Sequence, residues 1–171
     1  MSLPFVDVAF TVTNFRNVLA ASPNGAPLTD HAMTVVSPDP KKVFLHRGMY
    51  AKSPLPTTIR VMAPGAVLKF TFVGPGEIYH PVGISFERAD GTVPTAVLWD
   101  SYPAASLTTP FTGLAITGAT LQFTVTPLRG LATTAPGPNP PPYVTYKFSV
   151  SIQRQSDQVI GIIDPEIENE N

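Results

Sequence analysis

Ala63-Pro-Gly-Ala-Val-Leu-Lys-Phe-Thr-Phe-Val-Gly-Pro-Gly76 is the stretch whose pattern decides the fold class. In an extended chain, Val67, Lys69, Thr71 and Val73 fall on one side and Leu68, Phe70 and Phe72 on the other. That period of two belongs to a β-strand with one face in a core. Ala63-Pro-Gly65 and Gly74-Pro-Gly76 bracket it, and both have the residues that tight turns require. The same alternation opens the chain, where Val6, Val8, Phe10 and Val12 alternate with Asp7, Ala9 and Thr11.

Working outward, twenty prolines and twelve glycines leave few stretches long enough for a substantial helix. Further strands are expected at 32–36, 42–50, 57–62, 77–88, 92–99, 109–115, 119–126, 143–154 and 158–163. Asp90-Gly91 reads as the turn of a hairpin joining 77–88 to 92–99. Pro81 and Pro94 within those two strands mark edges or bulges. One short helix, Phe15 to Ala21, is expected near the N-terminus, with Asn14 as its cap and Ser22-Pro-Asn-Gly25 as its stop. Pro-rich 132–142 reads as an extended surface loop, because most of it cannot donate ladder hydrogen bonds. Only 29 residues follow Pro142, too few for a second domain, so the whole chain, 1–171, reads as one domain. About ten short strands without a long helix predict a β-sandwich or a related antiparallel barrel.

Composition narrows the function classes. The chain has no cysteine, which excludes disulfides and thiolate metal sites. Eleven Lys and Arg stand against twelve Asp and Glu, and no basic stripe with interleaved aromatics suggests a nucleic acid partner. Asp164, Glu166, Glu168 and Glu170 gather in what reads as an acidic C-terminal tail, 164–171. The first residues show neither a signal-peptide pattern nor an uninterrupted apolar span, which predicts a cytoplasmic protein without a membrane partner. Charged residues are 13% of the chain, about half the usual share, so little electrostatic repulsion opposes self-association.

No catalytic residue, cofactor site or metal site emerges from the motifs. His31, His46 and His80 lack metal-ligand spacing. Gly83-Ile-Ser-Phe-Glu87 breaks the nucleophile-elbow pattern at its last position, and Ser85 falls in mid-strand. Glu77 and Glu87 lie ten residues apart along one strand, about 33 Å if it is straight, too far for a glycosidase pair. The densest ligand-like cluster is Trp99, Asp100 and Tyr102, an aromatic-acid group at a strand end suited to stacking on a glycan. Two functions therefore compete: a protein whose partner is itself, as a homo-oligomer, and a carbohydrate-binding, lectin-like module acting through Trp99, Asp100 and Tyr102.

Three segments carry a family resemblance. Val6-Asp-Val-Ala-Phe-Thr-Val12 with Asn17-Val-Leu-Ala-Ala-Ser-Pro-Asn-Gly25, then Pro64-Gly-Ala-Val-Leu-Lys-Phe70, then Tyr146-Lys-Phe-Ser-Val-Ser-Ile152 through Val159-Ile-Gly-Ile-Ile-Asp-Pro-Glu-Ile167, resemble in order the PixA/AidA family of bacterial inclusion-body proteins. Departures are visible in the closing motif, where Ile163 and Glu166 stand in place of aromatics. The resemblance implies an immunoglobulin-like antiparallel β-sandwich without catalysis. It also implies a cytoplasmic protein that forms oligomers or inclusions, in some members under quorum-sensing control.

Overall fold

The computed structural model of the chain describes residues 5–20, 27–46, 58–62, 65–88, 94–99, 111–125 and 143–170. Twelve strands form among them and no helix: β1 Phe5–Asn14, β2 Asp30–Val36, β3 Val43–His46, β4 Thr58–Val61, β5 Ala66–Gly74 and β6 Glu77–Arg88, then β7 Pro94–Trp99, β8 Phe111–Thr117, β9 Thr120–Val125, β10 Tyr143–Arg154, β11 Ile160–Ile163 and β12 Glu166–Glu170. The all-β expectation is met. Asp90-Gly91 and 132–142 lie outside the described residues, as does the side chain of Trp99.

Hydrogen bonding runs along one curled sheet in the order β2-β1-β5-β6-β10-β12-β4-β3, with β7, β8, β9 and β11 attached beside that path. The middle of the path is its narrowest point. β9 occupies residues 66–71 of one edge of β5, so β6 meets β5 only through Val73 with Ile78 and Gly74 with Glu77. Pro75 and Gly76 make the turn between them, and Gly76 takes φ 68°, a left-handed conformation that favours glycine. From this corner the sheet folds back, so that β2-β1-β5-β9-β8 lies against the strands around β6 and β10. The rings of Phe70 and Phe148 stand 5.5 Å apart across this space, and those of Phe86 and Phe123 5.3 Å apart.

The alternating residues become the core. Val6, Val8, Phe10 and Val12 of β1 are buried, as are Leu68, Phe70 and Phe72 of β5. Phe148, Val150 and Ile152 of β10 join Ile163 of β11, so the expected terminal hairpin forms. Full burial of such side chains stabilises by about 1.5–3 kcal/mol each. Pro81 stands at an irregularity in the pairing of β6 with β10, the bulge that its missing N–H implies.

Three expectations need correcting. The strands are not uniformly antiparallel, because β1 pairs with β5, and β12 with β4, in parallel. Strands β2 to β4 intervene between β1 and β5, and an excursion of that length lets the chain return in its original direction. The short helix does not form over 15–20, and Ala21 lies outside the described residues. Its backbone donors are engaged elsewhere: the Arg16 N–H donates to Thr29 Oγ1 at 3.0 Å and the Val18 N–H to the Ile160 carbonyl at 2.8 Å. Asn14 turns its amide toward Asp30, while Asn17 Oδ1 accepts from the Leu19 N–H. Lastly, Glu166–Glu170 of the acidic run is a strand, hydrogen-bonded to β10 on one side and β4 on the other. No helix among the described residues is long and apolar enough to cross a membrane.

Candidate interaction surface

The residues singled out from the sequence are spread over several strands, and some lie outside the described residues. Trp99 closes β7 opposite Gly83, and Asp100 and Tyr102 lie outside the described residues. His31, His46 and His80 stand on three different strands, β2, β3 and β6. Among the described residues no group of three or more His, Cys, Asp or Glu side chains is placed to hold a metal. Ser85 sits in mid-strand opposite Ser149 and Val97. Glu77 accepts a hydrogen bond from the Ser156 hydroxyl at 2.9 Å, at the opposite end of β6 from Glu87.

What the strands do assemble is a broad outer face on β2-β1-β5-β9-β8. Side chains alternate across a strand, so each inward apolar residue dictates an outward neighbour. Register aligns these into rows across the strands. One row reads Thr34, Ala9, Thr71, Thr120 and Thr117. The next reads Val36, Asp7, Lys69, Gln122 and Ala115. A third reads Phe5, Val67, Thr124 and Thr112, and in it Val67 is buried. Small, uncharged side chains dominate. Asp30, at one corner, is held by Arg16 at 3.3 Å. Asp7 and Lys69 are the remaining charges, side by side in the middle row, and among the described residues neither forms an ion pair. Phe5 and Val36 are exposed there, Phe5 to 61%.

The other half of the sheet differs. There the register places Glu87, Lys147 and Glu166 in one row, with Glu168 and Arg60 opposite each other in the next.

Sheet edges are less available than the sequence suggests. The outer edge of β11 is covered, because its Ile160 and Ile162 carbonyls accept from the Val18 and Thr29 N–H groups, each at 2.8 Å. Phe15 anchors this covering segment between the Tyr79 ring, 5.4 Å away, and the Arg154 guanidinium, 4.5 Å from its centroid. The guanidinium is fixed in turn by Asp157, and its hydrogen bonds hold the Asp157 carboxyl below the usual range. A side chain at Gly161 would meet Phe15 and Thr29 at 2.7 Å, so only glycine permits this approach. Elsewhere β8 carries an irregularity between Thr112 and Ala115, and β7 begins at Pro94. Bulges and prolines of this kind obstruct edge-to-edge pairing.

In comparison with known proteins, the sequence matches no family model and no curated protein. The sequence carried a hint of this surface in the outward Thr and Ala of 6–13 and 66–73. The rows themselves needed the register of strands far apart in the chain.

Proposed function

We propose that this protein is a non-enzymatic domain that associates with itself, built as an immunoglobulin-like sandwich and forming cytoplasmic oligomers or inclusions. The observation that carries this reading is the outer face of β2-β1-β5-β9-β8, wide, rich in threonine and alanine, and nearly without charge. Burying such a surface removes apolar area from water while desolvating few charges. The resemblance to the PixA/AidA inclusion-body proteins points the same way.

Sedimentation velocity over a broad concentration series is the test. The expected result is a sedimentation coefficient that rises with concentration and levels off at a small closed oligomer. A strict monomer at high micromolar concentration overturns the reading. A monomer that also binds immobilised glycan, and loses that binding in Trp99→Ala, puts the carbohydrate-binding module in its place.

A further inference from the structure

We infer that the partner of this face is a second copy of the same face, related by a two-fold axis that lies in the interface and runs parallel to the strands, between β1 and β5. This rests on the self-association proposed above and names its geometry. The argument starts from Asp7 and Lys69, neighbours across the β1–β5 pair and among the described residues without ion-pair partners. Opposite charges next to one another at the centre of a neutral surface are self-complementary.

Turning the face over onto itself about an axis between the two strands places Asp7 of each copy over Lys69 of the other. The pair is therefore made twice, as an isologous interface requires. An axis perpendicular to the strands through the same row would instead set Asp7 over Asp7 and Lys69 over Lys69. Only the strand-parallel axis satisfies both charges. The same operation brings Thr34 over Thr120 and Ala9 over Thr71, so small side chains meet their like.

Size sets the expected strength. Five strands about 4.8 Å apart and rows spanning about 20 Å give a face of roughly 500 Å² in projection. Standard interfaces bury about 800 Å² per partner, so the dimer should be weak, and the two ion pairs should govern its register and specificity more than its strength.

The test is a charge exchange read by sedimentation equilibrium. Asp7→Lys sets two lysines against each other twice, and Lys69→Asp does the same with two aspartates. Each variant alone should dimerise at least about a hundredfold more weakly than the parent protein. An equimolar mixture should recover the parental dimer. In the mixed pair the lysine introduced in one copy faces the aspartate introduced in the other, and the native Lys69 and Asp7 face each other as before. The double variant should recover the dimer as well. Melting temperatures close to the parent's confirm that each variant folds. As a readout without mutation, raising salt from low to high should weaken the parental dimer several-fold. If the parent associates and both variants associate equally well, this face is not the interface, although self-association stands. If the variants are monomeric and the mixture stays so, the reciprocal pairing is wrong. A monomeric parent removes both this inference and the reading beneath it.

Discussion

His31 shows how one side chain is set by its surroundings. It lies in β2 opposite Val12, its ring 5.7 Å from that of Phe10, with Nε2 buried and without a hydrogen-bond partner. Burial lowers its pKa from the ordinary 6.5, and this outweighs the opposing pull of the Thr29 backbone and of the Asp30 and Asp164 charges. The folded state thus takes up the proton later than the unfolded state as pH falls. Well above pH 6.5 the imidazole is neutral in both states and contributes no pH dependence. Below that value the unfolded chain binds more protons, so stability falls with pH until the folded form is also protonated. For a single group this slope cannot exceed about 1.4 kcal/mol per pH unit. Chemical denaturation of the parent and of His31→Gln, each at neutral and mildly acidic pH, should show that the variant loses less stability on acidification. Equal losses in the two proteins would show that burial of this ring does not control its titration. The histidine was visible in the sequence, but not the ring beside it, because Phe10 meets it only through the pairing of β1 with β2.

The elements differ in how far local pattern predicted them. β1, β5 and β10 follow from alternation, since their apolar residues occupy one face over at least three repeats. β12 does not. Glu166-Ile-Glu-Asn-Glu170 has one apolar residue, Ile167, which is fully buried, and its polar remainder reads as a solvated tail. What makes it a strand is pairing with two partners, β10 and β4, the second of them far away in sequence. The missing helix has a similar origin. Residues 15–20 have helix-compatible composition, but β11 and Thr29 claim their hydrogen bonds. Placement in a sheet also changes the meaning of the acidic run, which is a linking strand and not a solvated tail. β12 is the sole described connection between β10 and the β4–β3 pair. Deleting 166–171 should therefore expose Val43, Ile59 and Val61, which are buried in β3 and β4, and leave most of the protein insoluble. Expression followed by fractionation and a melting curve reads the outcome. A soluble truncated protein with an unchanged melting temperature would show that β3 and β4 hold without this strand.

The curl as a whole depends on side chains more than on hydrogen bonds at its bend. Only two residue pairs join β5 to β6, yet the halves they connect share one core. Phe86 of β6 is at its centre, stacked on Phe111 of β8 at 4.0 Å and close to Phe123 of β9 at 5.3 Å and Phe148 of β10 at 5.8 Å. This ring touches both halves, so its loss weakens the contact between them and not merely one strand. Close packing leaves little room for relaxation, and Phe86→Ala should cost about 3–5 kcal/mol, a large share of the roughly 5–15 kcal/mol that holds a typical domain. Phe86→Leu keeps most of the buried volume and should cost less. Because a single core serves both halves, the parent should unfold in one step, with far-ultraviolet circular dichroism and the fluorescence of Trp99 giving the same midpoint in urea. Phe86→Ala should lower that midpoint while the two signals still coincide. Separate midpoints in the parent would mean that the halves are independent, and an unchanged midpoint in the variant would mean that the aromatic cluster does not join them.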